Sequence, residues 1–180
     1  DGLISTSLDA FDLTVTNTND APEVVAVSLT PQSVDEDQLD WTYDASSAFT
    51  DVDLREGNDP TEKLTYTATL NDGLALPEWL AIDADTGLLS GTPLVSDLGV
   101  ITVKVTATDH EGLFDAVEID IDVLEVNDAP VITSESNFSV LENTSVVTTI
   151  SAADEEVEAV TFSITGGDDQ GLFDISPSTG

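Results

Sequence analysis

The chain has 180 residues, of which 40% are hydrophobic, and 37 Asp and Glu residues face only three Lys and Arg residues, giving a formal net charge of −34. Binding to the phosphates of nucleic acid or to an anionic membrane requires Lys and Arg side chains, which this chain almost lacks, so we expect neither partner. Its negative charge favours cations as ligands. The lack of Cys excludes disulfides, thiol catalysis and zinc–thiolate sites. No apolar run approaches the roughly 18 residues of a membrane-spanning helix, so we expect no direct membrane insertion.

Short runs in which apolar and polar residues alternate follow one another along the chain. They are rich in Val, Ile and Thr and cover Leu64–Leu70, Val100–Ala107, Ala116–Val123 and Ala159–Ile164. This period of two predicts half-buried β-strands. Turn residues separate the runs, as in Asn-Asp-Gly at 71–73, and helical periodicity is almost absent. The pattern predicts an all-β fold of antiparallel sandwich type.

Two polar joints repeat along the chain. Asn19-Asp-Ala-Pro22 returns as Asn127-Asp-Ala-Pro130, an offset of 108 residues (127 − 19). A fixed period of this length predicts tandem modules with one sandwich per period. We expect a complete domain at 21–128, preceded at 1–20 by the last strand of one repeat and followed at 129–180 by the first half of another. We therefore also expect a segment of a longer polypeptide, or a chain that a neighbouring molecule completes.

The longest motif lies in the middle of the chain. Leu76-Pro-Glu-Trp-Leu-Ala-Ile-Asp-Ala-Asp-Thr-Gly-Leu-Leu-Ser-Gly-Thr-Pro93, with Phe49-Thr-Asp-Val-Asp53 before it and Val105-Thr-Ala-Thr-Asp109 after it, closely resembles the dystroglycan-type cadherin-like domain. The stretch 130–180 resembles part of a cadherin repeat. The resemblance implies tandem Ig-like or cadherin-like antiparallel Greek-key β-sandwiches.

The same resemblance implies a function. Such repeats act as structural or adhesion modules of large secreted or cell-surface proteins, which points to a bacterial adhesin. Their partners are neighbouring repeats of the same polypeptide, with a cell-surface protein or polysaccharide as a further partner. They bind Ca²⁺ between successive domains, and two carboxylates one residue apart converge readily on one such ion.

The resemblance also assigns ligands to each joint. At the first joint these are Asn19, Asp20, the carbonyl of Ala21, Asp51, Asp53 and Asp109. At the second joint they are Glu36, Glu125, Asn127, Asp128, Asp154 and Glu156. The Leu-Asp-Arg-Glu motif of many cadherins is missing, and Thr92-Pro-Leu-Val-Ser-Asp97 stands in its place, so we expect fewer ions at each joint.

Two other functions remain as alternatives. A carbohydrate-binding module would use Trp41 and Tyr43 as a sugar-stacking surface, although core or edge packing is favoured for both. An enzyme is not expected, because a Gly-x-Ser-x-Gly elbow, a Cys/His pair and a phosphate-binding loop are all absent from the sequence. Asp51–Glu62 imitates an EF-hand loop, but Arg55 occupies the fifth position and the glycine, Gly57, comes one place late, so an EF-hand is rejected.

Overall fold

The computed structural model describes residues 14, 16, 18–25, 30–56, 63–156 and 158–180. The elements in this part of the chain are almost all β-strands, which confirms the all-β prediction. The strands are β1 (Glu23–Val24), β2 (Gln32–Asp35), β3 (Trp41–Asp44), β4 (Phe49–Thr50), β5 (Thr65–Leu70), β6 (Leu80–Ile82), β7 (Leu88–Gly91), β8 (Gly99–Thr108), β9 (Phe114–Leu124), β10 (Val131–Ile132) and β11 (Ala152–Ala153). One α-helix, α1 (Val52–Glu56), and three 3₁₀ turns at Ala45–Ala48, Val95–Asp97 and Gln170–Leu172 complete the set.

The strands form two larger sheets and two strand pairs. One sheet has the order β2-β9-β8-β5 and the other the order β3-β7-β6, while β1 pairs with β4 and β10 with β11. β5 and β8 are antiparallel, as are β6 and β7. β2, however, runs parallel to β9 with Gln32 opposite Ile121, so this sheet is mixed rather than purely antiparallel.

Three of the predicted strands are confirmed. β5, β8 and β9 cover the runs that start at Leu64, Val100 and Ala116. Burial alternates along much of β8 and β9 as the period of two requires, whereas in β5 only Tyr66 is buried. In β8, Val103 and Val105 are fully buried and Lys104 between them is exposed. The predicted strand Ala159–Ile164 is wrong, because none of these residues is in a strand. An alternating pattern forms a strand only where a neighbouring strand offers ladder partners.

The chain divides into two compact units. The first comprises Asp1–Pro31, Thr42–Gly91 and Ile101–Asp120. Its core includes Leu89, Val103 and a tilted contact between the rings of Phe49 and Tyr66, whose centroids are 6.1 Å apart. Of the predicted last strand of a preceding repeat, 1–20, only residues 14, 16 and 18–20 are among the described residues.

The second unit comprises Gln32–Trp41, Thr92–Val100 and Ile121–Gly180. Its buried residues Val34, Ile121 and Val123 come from β2 and β9. From residue 131 onwards, by contrast, large apolar side chains are exposed, among them Leu141 at 83% and Leu172 at 78%. Apart from Pro22, every buried apolar side chain in the described part of the chain lies between 34 and 123, so the apolar side chains of the last fifty residues contribute no buried core of their own.

Candidate metal centres

The buried charged residues are all predicted metal ligands. In the described part of the chain they are Glu36, Asp51, Asp53 and Asp109, with exposures of 3%, 2%, 3% and 4%. A buried carboxylate is costly unless hydrogen bonds or a cation compensate for its lost hydration. The hydrogen bonds around these four residues therefore show which of their carboxylate oxygens have a donor and which do not.

Asp51 and Asp53 are positioned by the start of α1. Asp51 directly precedes the helix, and its Oδ1 accepts a hydrogen bond from the backbone N–H of Asp53 at 2.8 Å, as an N-terminal capping residue does. This single helical turn keeps both carboxylates buried on one segment. The second oxygen of Asp51, Oδ2, is buried and has no hydrogen-bond partner.

Asp109 closes the turn between β8 and β9. Its Oδ1 accepts hydrogen bonds from the backbone N–H groups of Glu111, Gly112 and Leu113 at 2.9, 2.7 and 2.8 Å. Burial raises the pKa of Asp109, but the hydrogen bonds from Asn19 and from these three N–H groups outweigh it, so the pKa lies below its ordinary value. Asp109 is therefore a fixed, ionised carboxylate.

Residues of the first joint form hydrogen bonds with both Asp109 and Asp53. The side-chain amide of Asn19 donates to Oδ2 of Asp109 at 2.8 Å, and the backbone N–H of Asp20 donates to Oδ2 of Asp53 at 2.8 Å. The side chains of Asp20 and Ala21 are exposed, whereas Pro22 beside them is fully buried. Asn19, Asp51, Asp53 and Asp109 are thus connected through the linker.

The second joint has a comparable arrangement. Oε1 of Glu36 accepts a hydrogen bond from the backbone N–H of Val126 at 2.9 Å, and Oε1 of Glu156 accepts one from the N–H of Asp128 at 3.3 Å. Oδ1 of Asp154 and Oε2 of Glu156 are buried without hydrogen-bond partners. A backbone hydrogen bond lowers the pKa of Glu156, but burial and the neighbouring Asp154 raise it above its ordinary value.

Two acids at the second joint were missed from the sequence. Oxygens of Asp37, Asp128 and Glu155 lie within 4.8 Å of one another, and no other three acidic or histidine side chains among the described residues come as close. Asp37 is adjacent to Glu36, and Glu155 lies between two predicted ligands, but only the folded chain brings them together. The trio Asp51, Asp53 and Asp109 is more widely spaced.

Among the described residues, the remaining predicted ligands of the second joint form no hydrogen bond with a carboxylate of that joint. Glu125 and Asn127 are exposed, and the amide of Asn127 donates only to the adjacent carbonyl of Asp128 at 3.1 Å. Asp97, in the segment that replaces the missing cadherin motif, accepts a hydrogen bond from the N–H of Leu94 at 3.0 Å and so caps its own 3₁₀ turn.

The aromatic residues of the alternative hypothesis are not presented as a pair. Trp41 is buried, with 7% of its surface exposed, and Tyr43 is half-buried. A sugar ring stacks on an accessible aromatic face, which buried Trp41 does not offer. The preference for core packing of Trp41 is confirmed. Among the described residues, the helices are too short and too polar to cross a bilayer.

Comparison with known proteins places the fold in context. No curated protein matches the sequence. Human protocadherin-24 EC1-2 is similar at 24% identity over 89% of this chain and 78% of its own, with a TM-score of 0.50. Human CDH23 EC21-23 is similar at 18% identity over 92% of this chain and 55% of its own, with a TM-score of 0.51. At these identities the likeness shows a shared fold.

A third structure is similar over a smaller part. The chain spans 19% of a Bacteroides fragilis protein described as a "putative alpha-galactosidase", at 17% identity and a TM-score of 0.41, with 62% of this chain covered. The family model described as "Putative Ig domain" matches residues 14–123. The structural neighbours support the cadherin-like part of the predicted resemblance, and its dystroglycan-type detail stays a prediction. The chain belongs to this Ig-domain family.

Proposed function

We propose that this chain is a calcium-stiffened structural or adhesion repeat of a large secreted or cell-surface protein. The observation that carries the proposal is the burial of Glu36, Asp51, Asp53 and Asp109 in a chain with only three Lys and Arg residues. Carboxylates at both joints leave buried oxygens without hydrogen bonds, and a hard cation with six to eight oxygen ligands would satisfy them.

At the first joint, Asp51 would be the primary ligand. Its Oδ2 is the atom that lacks a partner, and Asp53 and Asp109 lie on segments already tied to the linker. The amide N–H of Asn19 donates a hydrogen bond to Asp109, which leaves the carbonyl oxygen of Asn19 available for the ion.

At the second joint, a cation would relieve repulsion. Asp37, Asp128 and Glu155 bring oxygens within 4.8 Å of one another, and Asp154 and Glu156 add buried oxygens without partners. Like charges at such distances destabilise the site unless a cation lies between them. An ion bound here would hold the segment around 154–156 against residues 126–128.

The function then follows from the joints rather than from a pocket. An ion that ties a linker to the preceding and following segments limits bending between repeats. The partners in this proposal are neighbouring repeats of the same polypeptide, and the location is outside the cell, with a bacterial surface protein as the host molecule. A further contact with a cell-surface protein or polysaccharide would be made by the array as a whole.

A calorimetric titration with Ca²⁺ tests the proposal. We expect the whole chain to bind Ca²⁺ and the double variant Asp51→Asn, Asp53→Asn to lose the tightest site. The matched control is Asp120→Asn, Asp122→Asn, which removes an Asp-x-Asp pair of the same spacing from β9, where Asp120 is exposed and bonded to Thr102.

The outcomes are distinct. Loss of the tightest site in the first double variant, with binding retained in the control, supports the assignment. No heat of binding from the unaltered chain at millimolar Ca²⁺ would remove the basis of the proposed function. Equal weakening in both double variants would instead indicate diffuse attraction of cations by the net negative charge.

A further inference from the structure

The first joint is tied to the sandwich by bonds that need no ion. The amide nitrogen of Asn19 lies 2.8 Å from Oδ2 of Asp109, 90 residues further along the chain. One residue later, the backbone nitrogen of Asp20 lies 2.8 Å from Oδ2 of Asp53. Pro22 is fully buried. Two hydrogen bonds and one buried side chain thus hold the four linker residues 19–22.

We infer that residues 19–22 form a latch that keeps the first joint ordered without calcium. The inference goes beyond the proposed function, because the latch acts when the ion is absent; only the calcium-rescue step below rests on that function. Calcium would then enter a cage that is already assembled, rather than assembling it.

The two carboxylates that accept the latch bonds lie on segments held by hydrogen bonds that do not involve the linker. Asp109 is held by three backbone N–H groups within its own turn, and Asp53 lies in α1, whose start is capped by Asp51. Hydrogen bonds to ionised, partly buried carboxylates are short and strong, which matches both 2.8 Å distances. Pre-organised acceptors reduce the entropy that the linker bonds must offset.

The orientation of the Asn19 amide follows from the charges around it. If the amide were turned over, its carbonyl oxygen would face the carboxylate of Asp109 and repel it. The donor must therefore point at Asp109. An aspartate in the same place would keep an oxygen for a cation but would lose the donor and add a second negative charge 2.8 Å from the first.

The second joint lacks the side-chain bond of this latch, although the backbone N–H of Asp128 donates to Glu156 at 3.3 Å much as that of Asp20 donates to Asp53. Asn127 is the counterpart of Asn19 in the 108-residue repeat (127 − 19), but its amide donates to the carbonyl of Asp128 next to it and its side chain is exposed. The acids of that joint include buried oxygens without partners on Asp154 and Glu156. The two joints therefore differ in one bond: backbone N–H groups of both linkers donate to carboxylates, but only the first linker adds a long-range side-chain donor, the amide of Asn19.

The test is Asn19→Asp in the full chain, with hydrogen exchange of the Asp20 amide followed by NMR in chelator and in excess Ca²⁺. In the unaltered chain we expect this amide to be protected in chelator. In Asn19→Asp we expect its exchange to be about tenfold or more faster in chelator, the factor that corresponds to loss of a charge-assisted hydrogen bond. Excess Ca²⁺ should restore protection, because the new carboxylate is itself a calcium ligand.

Two further variants isolate the cause. Asn71→Asp adds the same charge on the exposed turn after β5 and should leave exchange at Asp20 unchanged. Asn19→Ala removes the donor without adding charge and should accelerate exchange less than Asn19→Asp. A far-UV circular dichroism spectrum of each variant checks that the sandwich is folded.

The latch and the calcium site can fail separately. An unprotected Asp20 amide in the unaltered chain in chelator overturns the latch, and so does an Asn19→Asp variant that exchanges at the unaltered rate. If Asn19→Asp loses protection in chelator and Ca²⁺ does not restore it, the latch is supported and the proposed function is contradicted.

Discussion

The buried carboxylate of Glu36 accepts a hydrogen bond from the backbone N–H of Val126, 2.9 Å away and 90 residues later in the chain. This bond continues the parallel pairing of β2 with β9, which ends at Asp35 and Leu124. It ties the start of the second joint to β2.

Substitutions of Glu36 should separate its two roles. Glu36→Gln keeps an oxygen that accepts from Val126 but removes the charge, so we expect nearly unchanged stability and weaker Ca²⁺ binding. Glu36→Ala removes the acceptor as well and should lower the free energy of unfolding by about 1.5–3 kcal/mol. Urea unfolding and calorimetry measure the two effects. Equal loss of stability in both variants would mean that the charge, rather than the hydrogen bond, holds this position.

Removal of calcium should lower stability without unfolding the sandwich. The buried apolar core between Val34 and Val123 does not depend on an ion, so far-UV circular dichroism should change little in chelator. A ligand at 100 times its Kd adds about 2.7 kcal/mol per site, so the melting temperature should rise with Ca²⁺ concentration. Global unfolding in chelator would place the ions inside the core and contradict sites at the joints.

Hydrogen exchange should divide the chain near residue 128. β8 and β9 are the longest strands and carry fully buried side chains, so their amides should exchange slowest. From residue 131 onwards the apolar side chains are largely exposed and the only strands are β10 and β11, of two residues each, so exchange should be fast among the described residues there. Protection at 159–164 equal to that of β8 would show that the predicted strand does form in solution.

Two neighbouring leucines in β7 provide a test of the core. Leu89 is fully buried, whereas Leu88 is 37% exposed on the opposite face of the strand. Leu89→Ala should lower the free energy of unfolding by about 2–5 kcal/mol, because it leaves a cavity. The matched variant Leu88→Ala should cost much less. Chemical denaturation measures both, and equal effects would contradict the observed alternation of β7.

Acid should weaken the turn between β6 and β7. Oδ1 of Asp83 accepts hydrogen bonds from the hydroxyl and the backbone N–H of Thr86, both at 2.8 Å, and from the N–H of Asp85 at 3.1 Å. These bonds, with the Thr86 hydroxyl first, hold the pKa of Asp83 below its ordinary value of 3.8. A lowered folded-state pKa contributes stability that is present above pH 3.8 and is lost as the pH falls through the folded-state pKa.

Asp83→Asn should therefore lose less stability than the unaltered chain on acidification, because its acceptor does not titrate. Glu78→Gln, which removes an exposed carboxylate from the preceding segment, is the control. Thermal unfolding at several pH values below 5 measures the difference. An identical acid response of Asp83→Asn and the unaltered chain would show that the turn does not depend on this carboxylate.

The sequence alone was sufficient for the strands that carry the core. β5, β8 and β9 were predicted because their period-two patterns directly express burial on one face of a sheet. The predicted joint ligands Asp51, Asp53 and Asp109 came from sequence motifs. Their burial depends on the positions of the start of α1 and the end of β8 in the folded chain. Ala159–Ile164 has the same alternating pattern and yet forms no strand, since a pattern in one segment says nothing about whether a partner is present.

Only the tertiary structure decided which distant groups meet. The parallel pairing of β2 with β9, the bond from Asn19 to Asp109 and the approach of Asp37 to Glu155 join segments about 90 or more residues apart. Local propensity acts over a few residues, whereas these contacts depend on how strands are ordered in a sheet and where their turns come together. The sequence by itself therefore determined the all-β fold and its acidic joints, and the folded chain determined which carboxylate oxygens have hydrogen-bond donors and which do not.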